Sequence, residues 1–213
     1  MEHPMLPEGT VHIVDDEADV REALALLVRS VGLAAASYAS AYDFLQRYRP
    51  GAAGCAVFDV RMPGMSGLDL QEKLRRDGIA LPIIFMTGHG DVPMAVRAMR
   101  AGALDFIEKP FNDQEMLDRI QAAIARDAEA RDAAADLRQV AARHADLTPR
   151  EREVMQLIVA GRLNKQIADE LGLSTRTVEL HRAHLMEKMQ ADSLSHLVRM
   201  ALALEDAERS QSR

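Results

Sequence analysis

The feature that most constrains this chain is an alternation repeated five times in its first 126 residues: a short apolar run, then a segment with helical spacing. Thr10–Val14 ends at Asp15, and Glu17–Val31 sets Val20, Leu24, Leu27 and Val31 on one helical face. Ala34–Tyr38 follows, with Ser40 as N-cap of a helix over Ala41–Tyr48. Cys55–Phe58 ends at Asp59, and Ser66 caps Gly67–Arg75. Pro82–Met86 ends at Thr87, and Val92–Ala101 is a helix stopped by Gly102. Leu104–Ile107 runs to Lys109-Pro110, where Asn112 and Glu115 open the next helix. Short apolar strands separated by helices predict a parallel sheet covered on both faces. In such sheets the binding crevice lies beyond the carboxyl ends of the strands.

That rule directs attention to the residues after each strand: Asp15 and Asp16, Asp59, Thr87 and Lys109. A lone strand-end aspartate reads as a turn or helix cap. Carboxylates converging from two strands repel, and a divalent cation relieves the repulsion. Ligands that are all oxygen favour magnesium, which keeps waters and seeks phosphate oxygens. With Lys109 as a fixed positive charge and Thr87 as a hydroxyl donor, the crevice suits a tetrahedral dianion.

The second half reads as helix throughout. Thr148-Pro149-Arg150-Glu151 is a start signal with N-cap, proline and capping-box glutamate, and Val154, Leu157 and Ile158 supply an apolar face before Gly161. A short helix from Asn164 turns Ile167, Ala168 and Leu171 inward, Gly172-Leu173-Ser174 makes a turn, and Thr175–Met189 is the next helix. Leu194, Leu197, Val198, Ala201 and Leu202 form a final stripe, either a dimer seam or packing within its own domain. Ile124–Ala145 has no glycine or proline and continues the preceding helix as a solvated connector; Glu208–Arg213 is expected to fray.

Composition narrows the function classes. The run Leu81–Met86 is far short of the roughly 20 residues a membrane helix needs. The opening MEHPMLPEG lacks the basic and apolar regions of a secretory signal, so a cytoplasmic protein with no membrane partner is expected. Cys55 is the sole cysteine and reads as a buried strand residue. Charge is uneven: −6 over residues 1–127, −1 over 128–146 and zero over 147–213. The same cuts give the expected domains, with 128–146 as a helical linker.

The stretches IVDDE (13–17), VFDVRMPGMSG (57–67), MTGHGD (86–91) and DFIEKPF (105–111) resemble the response-regulator receiver family across residues 8–126. The resemblance implies a doubly wound, flavodoxin-like sheet of order 2-1-3-4-5, and phosphoryl transfer to Asp59 from the phosphohistidine of a sensor histidine kinase. It implies that Asp16 and Asp59 bind Mg2+ through side chains, Arg61 through its main-chain carbonyl, and Asp15 through water. Lys109 would pair with the phosphoryl oxygens and Thr87 would be drawn toward them, with Phe106 rotating inward. Gly88 would leave room for the phosphoryl group, and Lys109-Pro110 resembles the family's cis peptide. Val96 reads as core, whereas Phe106 is either core or switch. His89 either orients water near the phosphate or is an exposed loop residue.

Helix, short helix, glycine turn, helix is a helix-turn-helix pattern. Residues 147–189 resemble the LuxR-type DNA-binding domain, and with the receiver ahead the whole resembles the FixJ-like branch of the NarL/FixJ regulators. With Val178 inward, Leu185 and Met189 fall within about 20° of it, while Arg176, Glu179, Leu180, Ala183 and Glu187 lie roughly 100° to 200° away. Arg176, Glu179, Leu180 and Ala183 are the candidates for reading bases. Lys165, Thr177, His181, Arg182 and Lys188 suit phosphates. Glu179 either reads a base or orients Arg182.

The expected function is a two-component transcriptional regulator, not an enzyme beyond self-phosphorylation and slow dephosphorylation. It would act as a homodimer on two promoter half-sites, with RNA polymerase as a further partner. A phosphohydrolase is disfavoured because no general acid follows Asp59 at a suitable spacing. A module binding protein or RNA through the helical half is the third reading.

Overall fold

The computed structural model describes residues 9–51, 53–88 and 92–211; His89 and its expected role lie outside them. Each apolar run forms a strand: β1 Thr10–Val14, β2 Ala34–Tyr38, β3 Gly54–Asp59, β4 Ile83–Thr87 and β5 Asp105–Glu108. They form one parallel sheet in the order β2-β1-β3-β4-β5. The helices are α1 Ala18–Ser30, α2 Ala41–Arg47, α3 Gly67–Arg76, α4 Val92–Arg100, α5 Asp113–Ala145, α6 Pro149–Val159, α7 Asn164–Leu171, α8 Thr175–Met189 and α9 Leu194–Gln211.

The period-2 alternation of strands sorts side chains to two faces. Ala56 and Phe58 join Phe44, Leu70, Leu74 and Phe85 on one side. Cys55 and Val57 join Ile13, Ile84, Met86, Ile120 and Ile124 on the other. Every residue of β3 and β4 is buried, as central strands covered on both faces require. Burial pushes the Cys55 thiol up to about 12, so it stays protonated.

Side chains expected to cap helices do so. Ser40 Oγ accepts from the Asp43 N–H and Ser66 Oγ from the Asp69 N–H. Asn112 Oδ1 accepts from the N–H groups of Gln114 and Glu115. The chain falls into two compact units divided between Arg131 and Asp132, within α5. In the first, buried Asp127 accepts from the Gly54 N–H at 2.9 Å and from Arg131 Nε at 2.6 Å, tying α5 to the start of β3. No helix among the described residues is long and apolar enough to cross a membrane.

In the second unit α6–α9 surround Val154, Ile158, Ile167, Val178, Leu185, Met189 and Leu197. Thr148 and Glu151 exchange both bonds of the capping box, and Gly172 takes φ 64° to end α7.

Two expectations fail. Val96 is 42% exposed rather than core, because α4 turns Ala98 inward and residues two apart on a helix point to different sides. The end of the chain does not fray at Glu208: α9 continues to Gln211, supported by an Arg209–Glu205 pair one turn apart.

Candidate functional site

The strand ends of the first unit bring their polar residues to one crevice. Asp15, just past β1, is fully buried; Asp59 ends β3, Thr87 ends β4, and both are buried. Lys109, just past β5, reaches across: its Nζ donates to Asp15 Oδ2 at 2.8 Å and to Asp59 Oδ1 at 2.9 Å. The remaining carboxylate oxygens are held by backbone. Asp15 Oδ1 accepts from the Glu17 N–H at 2.8 Å, and Asp59 Oδ2 from the Arg61 N–H at 2.6 Å. The Lys109 N–H also donates to the Thr87 carbonyl at 2.7 Å, fixing the lysine at the rim of β4, and the Lys109-Pro110 peptide is cis.

Burial holds the Asp59 carboxyl above its ordinary range, opposed by the bond and charge of Lys109, and Asp15 adds to the rise. Burial acts against the Lys109 ammonium as well, but the two carboxylates outweigh it and hold its pKa above the usual value.

Asp16 is exposed and opens onto a cavity of about 520 Å3 lined also by Arg61, Ser66 and Met94. Among the described residues no group of three or more His, Cys, Asp or Glu side chains gathers in metal-binding geometry. Asp16 lines that cavity, whereas Asp59, like Asp15, has one carboxylate oxygen on Lys109 and the other on a backbone N–H. Phe106 is half-buried, its ring 6.5 Å from that of Phe85. A Cβ at exposed Gly88 would meet open space.

Three residues around the crevice escaped the sequence reading. A Cβ on Gly67 would collide with the Asp59 carbonyl oxygen, so only glycine lets α3 begin this close to the strand end. Arg21 donates to the Asp15 carbonyl at 2.7 Å, and Glu17 Oε1 stands 3.9 Å from Lys109 Nζ. Glu17 lies within the IVDDE stretch, and Gly67 ends the MPGMSG stretch, so both signals were present.

In the second unit Val178, Leu185 and Met189 are fully buried, which turns Arg176, Glu179, Leu180 and Ala183 outward together. Leu180 is 55% exposed, an apolar side chain held in water on a charged face. Lys165 is exposed on α7, and His181 and Arg182 are half-buried. Thr177 belongs to the N-cap, its N–H donating to Ser174 Oγ at 3.1 Å. Arg182 Nη1 donates to Asn164 Oδ1 at 2.8 Å, and Glu179 pairs with no described residue. Arg182 is thus oriented by Asn164, a residue the sequence reading did not single out, rather than by Glu179. Lys188, also expected at a phosphate, is paired with buried Glu151 at 2.7 Å. Of the final stripe, Leu197 and Ala201 are core of their own unit, while Leu194 and Leu202 remain exposed.

Such a crevice on a doubly wound sheet, followed by a helix-turn-helix unit, defines a class of protein, and comparison with known proteins identifies the family. Residues 11–121 match the response regulator receiver domain, and residues 145–201 match the bacterial regulatory proteins of the luxR family. The transcriptional regulatory protein FixJ of Rhizobium meliloti is 50% identical over 198 residues, covering 93% of this chain and 97% of that protein. Nodulation protein W of Bradyrhizobium diazoefficiens is 48% identical over 197 residues, 92% and 87% of the two chains. Among solved structures, response regulator StyR is similar at 45% identity and a TM-score of 0.81, covering 91% of this chain and 98% of that one. Full-length FixJ from B. japonicum is similar at 44% identity and a TM-score of 0.58, covering 93% and 98%.

The chain belongs to the NarL/FixJ family of response regulators, with a receiver and a LuxR-type helix-turn-helix domain. It is a phosphorylation-controlled, DNA-binding transcriptional regulator of the type that defines this family. Receiver domains catalyse their own phosphorylation and dephosphorylation without being classed as enzymes, and generally use magnesium for phosphotransfer. Family members interact with sensor kinases and with DNA.

The Glu151–Lys188 pair yields a prediction of its own. Burial would raise the Glu151 carboxyl, but the bond from Lys188 and those of Thr148 outweigh it and hold its pKa at about 2. A carboxyl depressed from 4.5 in this way contributes stability that is present above pH 4.5 and lost as pH falls through about 2. Glu151→Gln is expected to cost about 1–2 kcal/mol at pH 7, the lower part of the range for a charged hydrogen bond because Lys188 is partly exposed. Denaturant titrations of wild type and variant should converge toward pH 2; a constant gap at every pH contradicts the assignment.

Proposed function

We propose that Asp59 is the phosphoacceptor and that the partner is the phosphohistidine of a sensor histidine kinase. The observation that carries this reading is the bridge of one Lys109 ammonium to both Asp15 and Asp59. An Asp59 carboxylate oxygen attacks phosphorus, the phosphorus–nitrogen bond breaks, and the imidazole leaves with its electron pair and takes up a proton. Lys109 then has phosphoryl oxygens to satisfy in addition to Asp15, and the Thr87 hydroxyl is drawn toward the same group.

Asp16, Asp59 and the Arg61 carbonyl form an oxygen donor set that fits magnesium, with Asp15 acting through water. Bound there, the ion would neutralise charge on the transferring phosphoryl oxygens. Two carboxylates suffice for an ion that keeps most of its waters and shares phosphate oxygens.

Residues 1–127 are the proposed receiver, 128–146 the linker and 147–213 the DNA-binding domain. Thr87 and Phe106 would carry the change to α4 and β5, where Val92, Val96 and Met99 are exposed apolar side chains. That surface suits a second copy, as does, separately, the Leu194 and Leu202 stripe on α9, and the phosphorylated homodimer would engage two promoter half-sites. Arg176, Glu179, Leu180 and Ala183 are the proposed base readers. Lys165, Thr177, His181 and Arg182 are the proposed phosphate contacts, with Lys188 held back by Glu151. A cytoplasmic location and contact with RNA polymerase complete the proposal.

Two outcomes are expected. Incubation with phosphoramidate and magnesium should add one acid-labile phosphate to wild type and none to Asp59→Asn; labelling of the variant contradicts the assignment. On duplex DNA, Arg182→Ala should lower the slope of log affinity against log salt by about 0.9 with little change in sequence preference, the signature of one lost phosphate contact. Arg176→Ala should cost about 1–3 kcal/mol on the preferred site and relax preference there. An unchanged salt slope in Arg182→Ala removes that residue from the interface.

A further inference from the structure

The turn between β1 and α1 is held by a group to which the phosphoacceptor chemistry gives no role. Arg21, half-buried near the start of α1, donates through Nη1 to the Asp15 carbonyl at 2.7 Å. α1 is itself fixed by buried Leu24, Ala25 and Val28, so the guanidinium is carried by a packed element. Its choice of partner runs against the local charges. Glu17, Asp19 and Glu22 surround Arg21 in sequence, and a pair with an acid four residues earlier is the ordinary arrangement on a helix. Arg21 nevertheless makes no ion pair with any described residue, and Glu17 Oε1 stands 3.9 Å from Lys109 Nζ instead. The guanidinium holds a neutral backbone oxygen.

That oxygen belongs to the peptide joining Asp15 to Asp16. Because a peptide is planar, fixing its carbonyl also fixes the direction in which the chain enters Asp16. With this bond every polar group of Asp15 is engaged. Its N–H donates to the Tyr38 carbonyl at 3.3 Å, Oδ1 accepts from the Glu17 N–H, Oδ2 accepts from Lys109, and the carbonyl accepts from Arg21. Asp16 has no comparable support. Its exposed carboxylate bonds to no described residue and lines the cavity of about 520 Å3 shared with Arg61. The placement of that carboxylate therefore depends on the backbone that leads into it.

We propose that Arg21 is a positioning residue for magnesium, acting through the Asp15–Asp16 peptide to aim the Asp16 carboxylate at the ion. This inference rests on the reading of Asp16, Asp59 and the Arg61 carbonyl as the magnesium donor set. Groups that hold metal ligands in place typically contribute about 10- to 100-fold to metal affinity. Charge alone acts in the opposite direction: a guanidinium repels a divalent cation, so removing it would tighten binding. The sign of the change therefore separates positioning from simple charge.

The test is a titration of Mg2+ into the 15N-labelled full chain, followed at the amides of Asp16, Glu17 and Arg61. Arg21→Met keeps an apolar stem in place while removing the donors and the charge, and Arg21→Lys keeps a charged donor. Arg21→Gln, whose amide ends two bonds short of the guanidinium tip, serves the same purpose as Arg21→Met if the latter does not fold. Saturable shifts are expected in wild type. The half-saturating Mg2+ concentration should rise about tenfold in Arg21→Met and return to within about threefold of wild type in Arg21→Lys. A substitution that only lowers the stability of the fold leaves the affinity of the folded molecules unchanged, so this readout is specific to Asp16. Unchanged or tighter binding without the guanidinium overturns the proposal, and so does equal weakening in Arg21→Lys. Absence of saturable shifts at Asp16 and Arg61 in wild type is a separate failure, which removes the donor set and this inference with it.

Discussion

The first unit is organised around one ammonium group shared by two carboxylates. Lys109 stands at the end of β5, Asp15 at the end of β1 and Asp59 at the end of β3, so the bridge spans most of the sheet's width. Burying Asp15 and Asp59 together is unfavourable unless a cation lies between them and backbone donors satisfy the other oxygens. Both conditions are met, by Lys109 and by the N–H groups of Glu17 and Arg61. The same balance makes the crevice responsive. On the proposed reading, new negative charge on Asp59 would change what Lys109 and Thr87 can satisfy, so that the arrangement suited to two carboxylates would no longer suit all the acceptors.

The helix-turn-helix part solves a different problem: residues 147–213 must present a charged face to a polyanion while carrying as many acids as bases. Burial of Val178, Leu185 and Met189 sets the rotation of α8 and so decides which side chains face outward. One acidic group is compensated internally. Glu151 is buried and neutralised by Lys188, while Asn164, a neutral partner, holds Arg182 so that its charge is not consumed. Neutral net charge is compatible with nucleic-acid binding when basic groups are gathered and acidic ones compensated internally.

Much of this was legible in the sequence because it depends on local periodicity. The strand ends are fixed by where each apolar run stops, so Asp15, Asp59, Thr87 and Lys109 could be placed on one edge before any coordinates. The inward face of α8 followed from 3.6-residue spacing, and the caps at Ser40, Ser66 and Thr148 from their neighbours. What escaped depends on pairs distant in sequence or on backbone proximity. Nothing near Lys188 indicates that Glu151, 37 residues earlier, will take its charge, and Asn164 meets Arg182 only because α7 packs on α8. Val96 was misplaced because apolar character does not fix a short helix's rotation; packing of Ala98 does. Gly67 matters through a carbonyl oxygen eight residues earlier in the chain that no pattern of residue types reveals.

On the proposed reading, modification of Asp59 controls the state of the whole chain. The most direct measurement is solution mass by light scattering, with magnesium and beryllofluoride, on wild type and Asp59→Asn. Beryllofluoride stands in for a phosphoryl group on the carboxylate. A shift from monomer to dimer in wild type alone is the predicted result. No shift in wild type, or the same shift in both proteins, would contradict control of assembly through Asp59.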